Sequence, residues 1–265
     1  MELDPDCLWE IAKPLIPPSK VRPQGGGTQG TPDETLFAAV IYVLVSGCAW
    51  RALPPCFGIS KPTAHRRFLI CSRAGVWGRL HEAVLHRLDD VGLLDVTRVV
   101  LDTAHVRARE GRTHRSEPRG PGQAGFQDAR PVGRERTVLL VGVSAGKTHD
   151  SEGLKPMVEG HQTRHDPHRG RYFKPRRLHA YKAYDSADLR RWLRGKPIGV
   201  RIARKGIESG ERLGRRRWVI ERTMSWPSGY RRLSPRYERE PRNYLALLGL
   251  ATTLCCYKRL IRLTT

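Results

Sequence analysis

The run Arg98-Val99-Val100-Leu101-Asp102-Thr103-Ala104-His105-Val106 constrains the fold of this chain more than any other stretch. Its β-branched and apolar residues fall on both faces of an extended segment, which predicts a central strand buried on two sides. Asp102 follows three such residues directly. A carboxylate there is costly unless a cation or strong hydrogen bonds offset its burial, so its place calls for a chemical explanation.

The segment before it reads as helices. Leu8, Ile11, Ala12 and Leu15 keep helical spacing until Pro17-Pro18, and Arg22 to Gly27 forms a loop. A second helix opens at Pro32-Asp33 with Thr31 as its expected cap, turns Leu36, Phe37, Val40, Ile41, Leu44 and Val45 inward, and ends at Gly47. Ser60 is the expected cap of a third helix whose Ala64, Phe68 and Cys71 face a core. Thr63, His65, Arg66 and Arg67 are then expected on its outer face, as in the recognition helix of a helix-turn-helix. A fourth helical run, Trp77 to Leu88, closes a helical region over residues 1–95.

Beyond it the periodicity alternates between strand and helix, which makes residues 96–265 an α/β region. Strands are expected at Thr137–Ser144, Leu178–Tyr184 and Ile198–Ala203, and helices at Gly153–Glu159, Ser186–Leu193, Arg212–Glu221 and Asn243–Leu263. Residues 111–136 are rich in Arg, Gly, Pro, Ser and Gln and predict a disordered or damaged loop. The apolar runs fall short of a membrane-spanning length, and the start Met1-Glu2-Leu3-Asp4 has no secretory pattern, so a cytoplasmic location and no membrane partner are expected.

With 48 Lys and Arg against 26 Asp and Glu, the net charge is +22. Such a chain suits a polyanion, because each cation set against a phosphate releases condensed counterions. The basic candidates are the third helix, Arg176 and Arg177 in an Arg- and His-rich loop, and Arg204 with Lys205. An RNA-binding module lacks support: aromatic residues are 7% and no ribonucleoprotein-like run occurs. Six cysteines without a Cys-x-x-Cys pair are expected as free thiols.

Asp102, an acid near Asp185, and Glu221 on a later helix form the pattern that two-metal phosphodiester chemistry uses. Carboxylates about 4 Å apart repel one another unless a divalent ion screens them, so such a cluster is a hard-metal site. In a chain this basic a single carboxylate more often serves an ion pair, and Asp102 is the exception.

Five segments in order resemble one family: Tyr42 to Pro55, Val100 to Ala108, Thr148 to Ser151, Ile202 to Ser209, and Arg217-Trp218-Val219-Ile220-Glu221-Arg222-Thr223. They resemble the DDE transposases of bacterial insertion sequences, in the insertion sequence four/five group and its actinobacterial members. The resemblance implies an α-helical N-terminal DNA-binding region and a ribonuclease-H-like catalytic domain that binds Mg²⁺ or Mn²⁺, two ions in an intact site. It implies Asp102 as the first catalytic acid and metal ligand and Glu221 as the last. The implied partners are double-stranded DNA, as terminal inverted repeats and target, and further copies of the chain on that DNA.

The resemblance breaks in three places. Family members read His-Ala-Asp-Lys-Ala-Tyr-Asp where this chain reads His179-Ala180-Tyr181-Lys182-Ala183-Tyr184-Asp185. A tyrosine thus stands where the middle acid is expected, and phenols in general do not ionise near neutral pH. Asp185 is the weaker substitute, four residues further on. Residues 111–136 lack the family's usual run, as compensating frameshifts would produce, and Pro227 falls one turn after Glu221, where it would end or kink a helix. The expected function is metal-dependent DNA cleavage and strand transfer at element ends, impaired in this copy. The alternative is a catalytically inactive transposase-derived DNA-binding protein.

Overall fold

Gly47 and Gly75, both with left-handed backbone, separate three helices whose apolar faces build the first part of the core. The computed structural model describes residues 5–18, 31–106, 122–129, 137–144, 148–160, 175–207, 229–233 and 236–264. The first helix, α1, spans Pro5–Ala12 and tightens into a 3-10 turn at Lys13–Leu15. Helix α2, Asp33–Ser46, has Asp33 and Glu34 in its first turn, where they complement the helix dipole. The residue before it is Pro32, and no side chain caps it, so the expected Thr31 cap is corrected. Leu36, Phe37, Ala39, Val40, Val43 and Leu44 are buried.

Helix α3, Lys61–Arg73, has the expected cap: the Thr63 amide donates to Ser60 Oγ at 3.3 Å. Ala64, Phe68 and Cys71 are buried as their spacing requires. Helix α4, Val76–Asp90, buries Val76, Trp77, Leu80, Val84, Leu85 and Leu88.

The five strands are β1 (Arg98–Val106), β2 (Gly122–Ala129), β3 (Thr137–Ser144), β4 (Arg177–Ala180) and β5 (Gly199–Ile202). They form one sheet in the order β3-β2-β1-β4-β5. Both β1–β2 and β2–β3 are antiparallel, with an irregularity between Gln127 and Asp128, whereas β4 and β5 run parallel to β1. The expectation of a disordered or damaged loop over 111–136 is therefore corrected at residues 122–129. Their composition shows no strand alternation, yet flanking β1 and β3 offer backbone partners on both sides, and a ladder of that kind does not depend on propensity. The rest of that segment lies outside the described residues.

Helix α5 covers Asp150–Val158, and α6, Ala187–Gly195, links parallel β4 to β5. The last helix, α7, spans Pro241–Thr264 and packs between α4 and β3. It is long and apolar enough to cross a membrane, but 78% of its apolar window is buried inside the protein.

One apolar cluster runs through α1, α2, α3, α4, the sheet, α6 and α7, so the helical region and the sheet share a core. Polar ties cross the same boundary. His81 on α4 donates from Nε2 to the Val138 carbonyl of β3 at 2.9 Å, and Arg259 on α7 bonds Thr137 and, at 2.9 Å, the Leu93 carbonyl. Cys48, Cys56, Cys71, Cys255 and Cys256 are free thiols.

Candidate functional site

Parallel strands β1 and β4 set the geometry of the site. Val99, Leu101 and Leu178 are almost wholly buried, and Leu101 pairs with Ala180. The β1–β4 pairing ends there: Asp102, the residue after Leu101, is in the middle of β1 and pairs with Phe126 of β2, and Tyr181, the residue after Ala180, begins the turn beyond β4, in the position where the family pattern has its middle acid. The Tyr181 side chain is exposed, with the Lys182 ammonium 5.4 Å from its ring centroid.

After Tyr181 the chain does not stay extended. Lys182–Tyr184 forms a 3-10 turn, with the Tyr184 amide bonded to the Tyr181 carbonyl at 3.0 Å and the Asp185 amide to that of Lys182 at 3.1 Å. The strand expected to reach Tyr184 thus stops at Ala180, because buried Tyr184 needs the turn to enter the core.

Asp185 ends this turn with both oxygens engaged. Its Oδ1 accepts from Arg190 Nε at 2.8 Å and pairs with Nη2 at 2.7 Å, while Oδ2 accepts from the Lys205 amide at 2.9 Å. The Lys205 amide and the Arg190 guanidinium hold its carboxyl below the usual carboxylate range. Both oxygens of Asp185, the doubtful substitute acid of the sequence pattern, thus carry bonds within the fold.

Glu221 and Pro227 lie outside the described residues. No group of three or more His, Cys, Asp or Glu able to hold a metal ion occurs among the described residues. The donors described at this edge, the Tyr181 phenol and an Asp185 carboxylate bonded to Arg190 and the Lys205 amide, do not by themselves fit a two-ion centre.

The basic candidates separate into three places. On α3, His65 and Arg66 are exposed, and Thr63 is half-buried with its hydroxyl 2.7 Å from that of Ser60. His65 stacks on Trp50 at 5.2 Å between ring centroids, and burial lowers its pKa. Arg67 is corrected from an outward residue to an inward one. It is 9% exposed, donating from Nη2 to Asp33 Oδ1 at 2.6 Å and to the Pro17 carbonyl at 3.0 Å. Arg204 and Lys205 are exposed just beyond the C-terminal end of β5, on the same sheet edge as Tyr181. Arg176 and Arg177 are also exposed but stand at the N-terminal end of β4, the opposite edge of the sheet.

The structure also accounts for several motif residues. The Tyr42–Pro55 segment holds Gly47, where a Cβ would meet Arg231 Cβ at 2.6 Å, together with Trp50, packed on Phe68, and buried Leu53. In the Thr148–Ser151 segment His149 Nδ1 caps α5 by accepting from the Ser151 amide at 3.2 Å. Two neighbours of these residues escaped sequence reasoning: Lys182, next to the Tyr181 ring, and Arg190, bonded to Asp185 five residues before it.

Comparison with known proteins decides the family. Residues 93–256 match the family described as "Transposase DDE domain", and residues 5–81 match "Putative transposase of IS4/5 family". The chain belongs to the DDE transposases of insertion sequences. Transposases of this family act on DNA, and their catalytic domains use divalent metal ions.

Two relatives come from Burkholderia cepacia. The "Insertion element IS402 uncharacterized 16.2 kDa protein" is 35% identical over 105 residues, 39% of this chain and 71% of that protein. The "Putative transposase for insertion sequence element IS402" is 42% identical over 89 residues, 34% of this chain and only 42% of that protein. A solved structure, "Crystal structure of a pre-cleavage Mos1 transpososome", aligns with 91% of this chain and 82% of its own at 9% identity and a TM-score of 0.21, too low to carry an argument.

Proposed function

We propose that this DDE transposase binds double-stranded DNA through its helical region and cuts and joins element ends poorly or not at all. The observation that carries the reading is the place of Tyr181, directly after the last residue of β4, whose partner Leu101 directly precedes Asp102 on parallel β1. Two-ion phosphodiester chemistry draws on converging carboxylates, and a phenol in the middle position removes one of them. In this reading residues 1–95 are the DNA-binding region and 96–265 the catalytic domain. The sheet order, three antiparallel strands followed by two parallel to the first, supports a ribonuclease-H-like domain. Asp102 and Glu221 remain the candidate acids for Mg²⁺ or Mn²⁺, and assembly of several copies on terminal repeats and target DNA belongs to the same reading.

The capped α3 carries the DNA contact. His65 and Arg66 face outward from a helix whose other side is fixed in the core, and the net charge of +22 supplies the long-range attraction. A catalytically silent DNA-binding protein is the second reading, and Tyr181 favours it.

Binding to a mixed-sequence duplex tests the contact. Arg66→Ala weakens binding and flattens its salt dependence with unchanged stability, whereas Arg67→Ala acts chiefly by destabilising the fold. An Arg66→Ala variant that binds like the unaltered chain at every salt concentration would remove α3 from the interface.

A further inference from the structure

Asp185 sits where two pieces of chain leave the sheet side by side. Strands β4 and β5 pair in parallel up to Ala180 and Ile202, and the Ala203 amide extends the ladder by donating to the Ala180 carbonyl at 3.0 Å. From there Arg204-Lys205-Gly206 turns away, with Gly206 at φ +77, a conformation that side chains other than glycine's rarely adopt.

Three bonds hold that turn. Asp185 Oδ2 takes the Lys205 amide at 2.9 Å, Asp185 Oδ1 takes Arg190 at 2.8 Å, and Arg190 Nη2 reaches the Ile202 carbonyl at 3.0 Å. Asp185 bonds Lys205 through its main chain, and Arg204 and Lys205 remain exposed. The turn lies two strand spacings from β1, roughly 10 Å at about 4.8 Å per strand, beyond the same ends of β4 and β5 that Tyr181 follows and level with the middle of β1, where Asp102 follows Leu101.

We propose that Asp185 is a positioning residue for DNA. Through Arg190 and the Lys205 amide it fixes the Arg204–Lys205 turn so that both cations face a phosphate backbone passing the carboxyl ends of β4 and β5. This rests on the DNA-binding reading above and gives the acid a function independent of metal. Preorganising the cations removes the cost of ordering two long side chains and their turn at the moment of binding.

The test is the salt dependence of binding to a mixed-sequence DNA duplex without divalent ions, measured on the full chain. Each phosphate contact contributes about 0.9 to the slope of log affinity against log salt, so Arg204→Ala with Lys205→Ala lowers it by about 2. Asp185→Ala lowers the slope comparably although no DNA-facing cation is lost, and adding it to the double variant lowers it no further. A residue that only stabilises the fold leaves the slope unchanged once the protein is folded. Should Asp185→Ala fail to fold, Arg190→Gln removes one anchor and must also flatten the slope. An unaltered slope in the folded Asp185 or Arg190 variant overturns the proposal alone, as does full additivity with the cation variant. An unaltered chain that shows no salt-dependent binding overturns the DNA reading, and this proposal with it.

Discussion

Arg232 donates from Nε and Nη2 to one oxygen of Glu238, at 2.9 and 2.7 Å, while its Nη1 reaches the Cys48 carbonyl at 2.9 Å. Both side chains are below 10% exposed, and the Tyr237 ring lies 4.7 Å from the guanidinium carbon. The pair ties the chain after β5 to the loop that ends α2. Removing one member of a buried pair leaves a desolvated charge, so Arg232→Ala is expected to cost about 3–5 kcal/mol in urea unfolding. Arg232→Met combined with Glu238→Leu recovers most of that loss. A double variant as unstable as the single one would show that the Cys48 bond, and not the charge pair, holds the two segments.

Gly47 has φ +73, and an added Cβ would meet both the Arg231 side chain and its backbone. Gly58 has φ +61 with open space around it. Gly47→Ala therefore combines backbone strain with a clash and is expected to cost more than the about 1–3 kcal/mol of strain alone, whereas Gly58→Ala stays within that range. Chemical unfolding of the two variants checks the order. Equal losses would mean that Arg231 gives way.

His81 is buried, and desolvation lowers its pKa to about 4, even though its bond to the Val138 carbonyl acts in the opposite direction. Its folded value lies below the ordinary 6.5, so the unfolded chain binds more protons between these values. The stability that neutral His81 provides is present above pH 6.5 and is lost as pH falls toward 4. The loss reaches roughly 3 kcal/mol by the linkage relation. Stability measured against pH for the unaltered chain and for His81→Gln checks this: the variant has the shallower slope in that window. Parallel curves would assign the acid sensitivity to other groups.

Local chemistry made much of this fold legible and left its long-range ties hidden. The Ser60 cap, the Ala64-Phe68-Cys71 stripe, the Val99–Leu101 run and the apolar α7 all announce themselves, because capping and periodicity act within a few residues. Strand β2 does not, since Gly122 to Ala129 owes its conformation to two neighbours. Arg67 reads as one more surface base, and only its partner Asp33, 34 residues earlier, turns it inward. Asp185 reads as a spare acid for the same reason, its partner Lys205 being 20 residues away. The substitution at position 181 was legible from the motif alone, and the last β1–β4 pair, Leu101 with Ala180, falls one residue before both Asp102 and Tyr181.

Nicking and excision of DNA carrying the element's ends, in Mg²⁺ or Mn²⁺, shows whether Tyr181 limits cleavage. The chain as it stands is expected to bind this DNA with little or no nicking, and Tyr181→Asp to nick it far faster. Metal-dependent nicking by the unaltered chain as fast as by Tyr181→Asp, or silence in both with binding retained, would contradict the claim that Tyr181 is what limits cleavage.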